Sequence, residues 1–318
     1  MITVIGSLNM DLVVTAKRAP EQGETVAGLS FDQFPGGKGA NQALAAARSG
    51  TETALAGRVG RDAFGQALIQ ALSRDSLDLS ALEEVAEAPT GIAAITVDEA
   101  GHNRIVVVPG ANGTFSASQM EAFRPLLAAS NVLLLQFEIP MDAVEAAIVL
   151  AREEGTFCMV NPAPAEPLAD HLYPLIDLLT PNETELSLLT GESDWRLGGR
   201  KLIARGLETL VVTLGAQGSL AMKAGTQQLT PAYRVKMVDS TAAGDCFNGS
   251  LAAGIDAMMG AKAPGRQRFK PSLQDLAPAL DRASRAAAMS VTRRGAQPSI
   301  PLAEEIDNFD AWYPLHRL

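Results

Sequence analysis

The sequence predicts an α/β fold in which helices flank a central, mostly parallel β-sheet and a small separate β layer lies beside it. From Asn131 onward, short apolar segments such as "NVLLLQF" and "TLVVTLG" alternate with helical segments, which is the rhythm of β-α-β units. Earlier, "GETVAGLSFDQF" alternates apolar and polar residues, as half-exposed antiparallel strands do, and "TGIAAITVD" and "RIVVVPGAN" are predicted to form a second antiparallel pair. We expect the small layer to come from about residues 10–34 and 89–109 and to act as a lid.

The remaining elements are predicted in chain order from their local patterns. Ile2 to Ile5, followed by Gly6, indicate a buried first strand that ends in a turn. The glycines of "GGKGANQALAAARSG" lead into an alanine-rich helix, and then "TALAGRVG" is predicted as a strand and "DAFGQALIQALSRD" as a helix. Two further apolar segments, "GTFCMVNPAP" and "DLLTPNE", add strands to the parallel sheet.

Composition excludes several classes of function. The chain of 318 residues carries a net charge of −10, which argues against general nucleic-acid binding. Cys158 and Cys246 are its only cysteines, too few for a disulfide framework or a zinc site, so we expect a reducing, cytoplasmic setting. No apolar stretch approaches the length of a membrane span. Asp11 interrupts the first apolar run and no basic region precedes it, so a signal peptide is not predicted.

The stretch "VDSTAAGDCFNGSLAAGIDAMM" predicts a helix that begins near Ala243. Its apolar residues recur at intervals of three and four, and cap-forming residues precede it. The first turn carries small side chains, so its backbone N–H groups are open to a phosphate or to developing negative charge. Asp245 has two interpretations: it could stabilise the helix dipole, or it could be a general base beside an anion hole. From this stretch alone, the first is favoured.

Polar and glycine-rich residues cluster where the predicted strands end, which is where ligands bind in a doubly wound sheet. The clusters are Asn9 and Asp11, Gly36 to Asn41, Glu138, Asn161, Asn182 to Glu185, Gly215 to Gly218, and Gly244 with Asp245. A P-loop is excluded because Gly39 follows Lys38, and no clean GxGxxG follows the first strand. A nicotinamide dehydrogenase is therefore disfavoured. Each cluster alone is weak evidence; "PNETE", for example, could simply be a helix cap.

Several motifs together resemble the ribokinase-like family of carbohydrate kinases, in the order that family shows. The resemblance runs from about Thr3 to the end of the chain. The motifs are "GSLNMD", "GGKGANQALAAARSG", "GRVGRDAFG", "LLQFEIP", "NPAPA", "TPNETE", "VVTLGAQG", "DSTAAGDCFNG" and "VTRRGAQPSIP". It implies one ribokinase-like kinase domain over residues 1–318, with the lid described above.

The resemblance implies an ATP-dependent kinase that phosphorylates D-ribose at O5. Asp245 matches the family's general base, and the amides of Ala242, Ala243 and Gly244 match its anion hole. The residues implied to bind the sugar are Asn9, Asp11, Gly37, Lys38, Asn41 and Glu138, together with Asp245.

The same resemblance implies where ATP and its metal bind. The implied ATP contacts are Asn182, Thr213, Gly215, Gly218, Gly244 and Ser284; many relatives carry Asn or His where Ser284 stands. Glu185 is implied to hold Mg²⁺ through water, because Mg²⁺ dehydrates reluctantly.

The family also binds a monovalent cation, usually K⁺, and forms a homodimer through paired lids. The matching cation positions are Asp239, Thr241, Ser290, Arg293, Gly295 and Ser299, most of them through backbone carbonyls. This chain departs from its relatives at Ala243, where the wider superfamily more often has Gly, and in a basic segment from Gly260 to Pro271.

Two alternatives stay open at this point. The first is a kinase for another sugar or a nucleoside, such as deoxyribose or fructose. The second is a non-catalytic sugar sensor on the same fold. An intact base and anion hole count against the sensor, because a protein that only binds sugar needs no base.

Overall fold

The computed structural model describes residues 1–261 and 268–318. Its strands are β1 (Ile2–Ile5), β2 (Asn9–Ala16), β3 (Gly28–Gly36), β4 (Thr53–Gly60), β5 (Leu77–Asp78), β6 (Leu82–Val85), β7 (Gly91–Val97), β8 (Asn103–Val108), β9 (Val132–Leu135), β10 (Phe157–Val160), β11 (Leu178–Leu179), β12 (Leu210–Thr213), β13 (Ser219–Lys223) and β14 (Thr226–Thr230). Its helices are α1 (Lys38–Arg48), α2 (Ala63–Leu72), α3 (Arg124–Ala129), α4 (Met141–Glu153), α5 (Glu183–Thr190), α6 (Trp195–Ala204), α7 (Ala243–Met259), α8 (Leu273–Ser290), α9 (Ala303–Asp307) and α10 (Phe309–His316).

The central sheet has the strand order β14-β13-β12-β11-β10-β9-β1-β4-β5, with β6 paired to the far end of β4. Every pairing from β5 to β12 is parallel, and only the β12-β13-β14 edge is antiparallel. The predicted α/β class with a mostly parallel sheet is therefore confirmed. Because the strands run in one direction, their carboxyl ends meet along one edge of the sheet.

Helices cover both faces of this sheet, which explains why its strands are continuous apolar runs. All four residues of β1 are buried, and successive side chains point to opposite faces. Ile2 and Val4 pack with Leu44 of α1 and Leu251 of α7, whereas Ile5 packs with Ile148 of α4. Each fully buried Leu or Ile contributes about 1.5–3 kcal/mol relative to an exposed one.

A separate four-stranded sheet has the order β3-β2-β7-β8 and forms the small β layer. The central pair, β2 and β7, is parallel, and the β2-β3 and β7-β8 pairs are antiparallel. One prediction needs correction: the strand predicted from Gly23 begins at Gly28. Gly23 has a φ of 79°, and Glu24 N donates to Glu21 O, so a turn occupies the residues before Gly28.

The small sheet leaves apolar side chains uncovered. Leu29 is 58% exposed, Phe31 57% and Val106 65%, and all of β8 is exposed. Within the part of the chain that the structure describes, no helix combines the length and apolar character needed to cross a bilayer. Within the basic segment from Gly260 to Pro271, residues 262–267 lie outside the described residues.

Candidate active site

The residue that precedes the first turn of α7 has a strained backbone conformation. Ala242 precedes the helix with φ 59° and ψ 12°, and is the only non-glycine residue with a positive φ among those described. This left-handed conformation costs an alanine on the order of 1 kcal/mol and is typical of functional sites. Cys246 N donates to Ala242 O at 2.8 Å, so the helix begins at Ala243, as predicted. The position that favours glycine is therefore Ala242, and not Ala243 as expected from the relatives.

Several backbone N–H groups at the start of α7 have no hydrogen-bond acceptor among the described residues. Ala243 N donates to Ser240 O at 3.2 Å, whereas the amides of Ala242, Gly244 and Asp245 have no acceptor among the described residues. Gly244 is exposed, and a Cβ added there would meet no atom within 4 Å. Ala242 and Gly244 thus have the free donors that the predicted anion hole requires. Ala243 would have to exchange its bond to Ser240 for one to a phosphate.

Asp245 is buried, with 6% of its surface exposed, and both carboxylate oxygens accept amide hydrogen bonds. Asn41 Nδ2 donates to Oδ2 at 3.0 Å, and Gln42 Nε2 donates to Oδ1 at 2.9 Å. Both donors lie on α1, whose first turn is fixed against β1 by the 2.9 Å bond from Ala40 N to Ser7 O. The Oδ1 atom of Asn41 is buried and has no partner, so it can accept a hydrogen from a ligand.

Glu138 lies shortly after the end of β9, and one of its carboxylate oxygens accepts three hydrogen bonds. Its Oε2 accepts from Ser7 Oγ at 2.5 Å, from Lys38 N at 3.1 Å and from Asn9 Nδ2 at 3.3 Å. Asn112 holds Asn9 in place, because Asn112 Nδ2 donates to Asn9 Oδ1 at 2.8 Å. The structure thus brings Asn9, Lys38 and Glu138 together, as predicted from the ends of separate strands.

Gly37 connects this group to α1. Its φ of 91° lies in the left-handed region, and a Cβ there would come within 2.6 Å of Asn9 N. Only glycine fits this turn without a shift of the backbone.

Asp11, on β2, faces the same space. Burial, Glu138 and Asp245 together raise the pKa of Asp11 from 3.8 to about 7. A Cβ at Gly36 would lie 2.4 Å from Asp11 Oδ2, so the neighbouring strand leaves room for this carboxyl.

The ammonium group of Lys38 lies near the carboxyl groups of the site and offsets part of their negative charge. Burial lowers the pKa of Lys38, but the nearby carboxylates of Asp245, Glu138, Glu185 and Asp11 outweigh it, so the pKa is raised. The cluster is thus one ammonium among four acids, which suits a ligand rich in hydroxyl groups.

Two of the residues predicted to bind ATP and Mg²⁺, Asn182 and Glu185, form the N-terminal cap of α5. Asn182 N donates to Glu185 Oε2 and Glu185 N donates to Asn182 Oδ1, each at 2.8 Å, which is a capping box for α5. The capping interpretation of "PNETE" is therefore correct. Glu185 nevertheless also faces the cluster of Lys38 and the acids. Burial and the charge of Asp245 raise the pKa of Glu185, and they outweigh the hydrogen bond from Asn182 N and the charge of Lys38, which lower it.

The nucleotide loop lies beside this cap. Thr213 N donates to Pro181 O at 3.0 Å, and Thr213 forms a bridge with Asn182. Gly215 has a φ of 53° and open space where a side chain would stand, so a ligand can approach its backbone. Gly218 follows, with a φ of 101°. Ser284 is buried on α8 without a hydrogen bond to these residues, and its adenine contact stays a prediction.

Three of the predicted cation residues are linked by hydrogen bonds, and for the others the predicted contact is through backbone carbonyls. Thr241 N and Oγ1 donate to Asp239 Oδ1 at 2.9 and 2.6 Å, and Gly295 N donates to Asp239 Oδ2 at 2.9 Å. Burial raises the pKa of Asp239, but these hydrogen bonds outweigh it and lower the pKa. The side chains of the other three positions point elsewhere: Ser290 and Ser299 donate to carbonyls, and Arg293 pairs with Glu305 at 2.5 Å.

Among the described residues, no group of three or more His, Cys, Asp or Glu side chains could hold a metal by itself. A cation at Asp239 therefore needs backbone carbonyls, and Mg²⁺ near Glu185 needs water and phosphate oxygens.

The buried side chains that hold Asp245 and the first turn of α7 in place were not predicted from the sequence. Gln42 and Gln136 are fully buried, and Gln136 Nε2 donates to Gln42 Oε1 at 2.7 Å. Thr180 Oγ1 donates to Asn248 Oδ1 at 2.6 Å, and Asn248 Nδ2 donates to Gly244 O at 2.9 Å. An amide beside Asn41 in "GGKGANQ" was the one local signal that could have identified Gln42.

Comparisons with known proteins identify the family of the chain. The model of the pfkB family carbohydrate kinases matches residues 1–303. A ribokinase of Haemophilus influenzae is 36% identical over 97% of each chain, and a deoxyribokinase of Salmonella typhi is 32% identical over 97% of this chain and 98% of its own. The structure of an Arabidopsis thaliana ribokinase complexed with ribose and ATP superposes with a TM-score of 0.84, at 28% identity and over 97% of each chain.

The match to the family model, the relatives that align over nearly the whole chain and the similar solved structure agree with the two-sheet fold. The chain belongs to the pfkB family of carbohydrate kinases.

Proposed function

We propose that the protein is a ribokinase, which transfers the γ-phosphoryl group of ATP to O5 of D-ribose. The observation that carries the proposal is Asp245, a buried carboxylate beside the open amides at the start of α7. The Haemophilus influenzae relative is a ribokinase, and the Arabidopsis thaliana ribokinase binds ribose and ATP.

Sugar binding follows from the polar groups that are free to bind a ligand. Asn41 Oδ1 is a buried acceptor without a partner, and a sugar hydroxyl supplies the missing donor. The carboxylates of Asp11 and Glu138 can each accept from neighbouring hydroxyls, while Asn9 and Lys38 supply donors. Gly37 lets the backbone pass close to the sugar. A pentose with several hydroxyls fits this set better than an apolar ligand does.

Phosphoryl transfer needs a base, in-line positioning and stabilisation of charge. Asp245 accepts the proton of the O5 hydroxyl while that oxygen forms a bond to the γ-phosphorus. The bond between this phosphorus and the β,γ-bridging oxygen breaks, and ADP leaves. The N–H groups of Ala242, Gly244 and Asp245, with the positive end of the α7 dipole, stabilise the negative charge of the transferring group.

ATP lies, in this proposal, across Asn182, Thr213, Gly215 and Gly218, with Ser284 near the adenine. Glu185 would hold Mg²⁺ through water, and the ion would supply neutralisation of the phosphate charge. Asp239, Thr241 and Gly295, with carbonyls of Ser290, Arg293 and Ser299, would hold a monovalent cation such as K⁺. The negative charge of Asp239, which its hydrogen bonds favour, supports this assignment.

The lid sheet closes over the sugar and pairs with the lid of a second copy. The uncovered face that includes Leu29, Phe31 and Val106 supports this, because an exposed apolar sheet face tends to be covered. Closure excludes water and limits wasteful hydrolysis of ATP. Cys158 and Cys246 are both free and buried, which agrees with a cytoplasmic enzyme.

A kinase for 2-deoxyribose is the second candidate, because the Salmonella typhi deoxyribokinase also matches over nearly its full length. Comparing kcat/KM for ribose and 2-deoxyribose separates the two, since the sugars differ only in the 2-hydroxyl.

Asp245→Asn tests the proposed chemistry. The variant should lose ribose-dependent ADP formation by about 10²–10⁴-fold, the usual contribution of a general base. Ribose binding measured by calorimetry should persist. Unchanged turnover would remove Asp245 from its assigned role, and binding without turnover in the wild type would favour the sugar sensor.

A further inference from the structure

Two buried glutamine amides are linked in series to the carboxylate of Asp245. Gln136 Nε2 donates to Gln42 Oε1 at 2.7 Å, and Gln42 Nε2 donates to Asp245 Oδ1 at 2.9 Å. Both glutamines are fully buried. Gln136 is the third residue of "LLQFEIP" and Gln42 the last of "GGKGANQ", and the proposed function assigns neither of them a role.

The direction of this chain is fixed by the carboxylate at its end. An ionised carboxylate only accepts hydrogen bonds, so Gln42 must turn its NH₂ group towards Asp245. The second hydrogen of that NH₂ group goes to Asn161 Oδ1 at 2.9 Å. Asn161 is itself held, because its Nδ2 donates to Thr180 O at 2.8 Å. If the amide group of Gln42 were reversed, its Oε1 would face Asp245 Oδ1 and Asn161 Oδ1, and no hydrogen bond could form.

Gln136 donates a hydrogen bond to Gln42 but leaves one of its own polar atoms unsatisfied. Among the described residues, Gln136 Nε2 is the donor to Gln42 Oε1, whereas Gln136 Oε1 is buried without a hydrogen-bond partner. A buried acceptor without a donor destabilises a fold. A Cβ at Gly6 would lie 2.2 Å from this oxygen, so the backbone keeps space for the amide. A side chain that served packing alone would be apolar here.

We propose that Gln136 is a positioning residue for Asp245, and that it acts by locking the amide of Gln42. The proposal rests on the proposed function, in which Asp245 is the base. With Gln42 locked and Asn41 on the other oxygen, the carboxylate has one orientation, and its remaining lone pairs face the sugar hydroxyl. We call the hydrogen-bonded series Gln136–Gln42–Asp245 the relay. Both glutamines are fully buried, so they cannot contact the substrates, and the relay affects kcat while leaving the KM values for ribose and ATP nearly unchanged.

Two substitutions at position 136 separate positioning from packing. Gln136→Met keeps the length of the side chain but removes the donor. Gln136→Glu keeps a donor at about pH 6, because burial favours the protonated carboxyl, whose O–H can reach Gln42 Oε1. A packing role predicts that the methionine variant is the more active, since it is the better core residue. The relay predicts the reverse order of activity, with the methionine variant still the more stable to urea.

We expect kcat to fall about tenfold in Gln136→Met and to stay within about threefold of wild type in Gln136→Glu. Thr3→Val is the matched control, because it removes a buried 2.7 Å hydrogen bond to Ser130 from β1 without a link to Asp245. It should lower stability and leave kcat unchanged. Equal kcat in Gln136→Met and the wild type, or a lower kcat in Gln136→Glu than in Gln136→Met, would overturn the relay.

Should neither variant fold, Gln42→Met tests the same point, with folding confirmed by ribose binding. A lowered kcat with an unchanged Kd for ribose supports the relay, and an unchanged kcat overturns it. Wild-type turnover of ribose separates the two claims. An inactive wild type contradicts the proposed function and this inference together, whereas an active wild type with equally active variants contradicts the relay alone.

Discussion

Asp11 should make the folded protein less stable as the pH rises towards neutrality. Its pKa is raised from 3.8 in the unfolded chain to about 7, by burial first and then by Glu138 and Asp245. Between these values the unfolded chain has released the proton and the folded protein has kept it. Stability from this group is therefore complete below pH 3.8, falls as the pH rises through that window, and levels off above about 7.

The magnitude follows from the size of the shift. About three pKa units at 1.36 kcal/mol each give an upper limit of about 4 kcal/mol. Asp11 is partly exposed, so solvent reduces this, and we expect about 2 kcal/mol. Asp11→Asn keeps the shape of the side chain and removes the titration. No protein hydrogen bond to Asp11 is lost among the described residues, so the variant should become more stable than the wild type near pH 7.

Urea unfolding of both proteins at several pH values from about 4 to 8 measures this effect. The free energy of unfolding of Asp11→Asn, relative to the wild type, should rise across the window and then stay constant. Asp32→Asn is the control, because it removes an exposed carboxylate from the same small sheet. A difference that stays constant with pH, or that shrinks, would refute the reasoning. The stabilised variant should also bind ribose more weakly, since one of the two acceptor oxygens for the sugar is replaced by an NH₂ donor.

Three further predictions concern the other parts of the site. Glu138→Gln should raise the KM for ribose about tenfold or more, because one oxygen that accepts three hydrogen bonds is lost or reoriented; an unchanged KM would remove Glu138 from the sugar site. Asp239→Asn should abolish the response of ADP formation to K⁺ with activity in K⁺-free buffer retained, and a persisting response would place the cation elsewhere. Phe31→Asp should convert a dimer into a monomer in sedimentation experiments, because it places a charge on the uncovered lid face; an unchanged mass would exclude that face as the interface.

The elements that could be predicted are those whose local pattern also decides their packing. Ile2 to Ile5 lie between helices on both faces, so an apolar run is sufficient to identify the strand. The apolar stripe of α7 and the small residues before it predicted the start of the helix at Ala243. The β13–β14 hairpin was not predicted, because polar residues such as the exposed Gln227 and the half-buried Gln228 interrupt its apolar pattern.

The supporting residues of the site could not be predicted, for a different physical reason. Gln136 bonds to a residue 94 positions away in the chain, and Asn112 to one 103 positions away. A hydrogen bond between distant buried amides leaves no periodicity near either partner. Ala242 shows a related limit: its left-handed conformation is imposed by the turn before α7, although alanine has no preference for it. Such residues are identified only when the strand ends are assembled.

The most direct test of the central claim is ADP formation from ATP and Mg²⁺ with a panel of sugars and nucleosides, each with and without K⁺. We expect the highest kcat/KM with D-ribose, a rate that rises with K⁺, and loss of turnover in Asp245→Asn. A higher kcat/KM with another sugar or a nucleoside would contradict the substrate assigned to the Asn9, Asp11 and Glu138 group. Absence of turnover with every member of the panel would contradict the kinase itself.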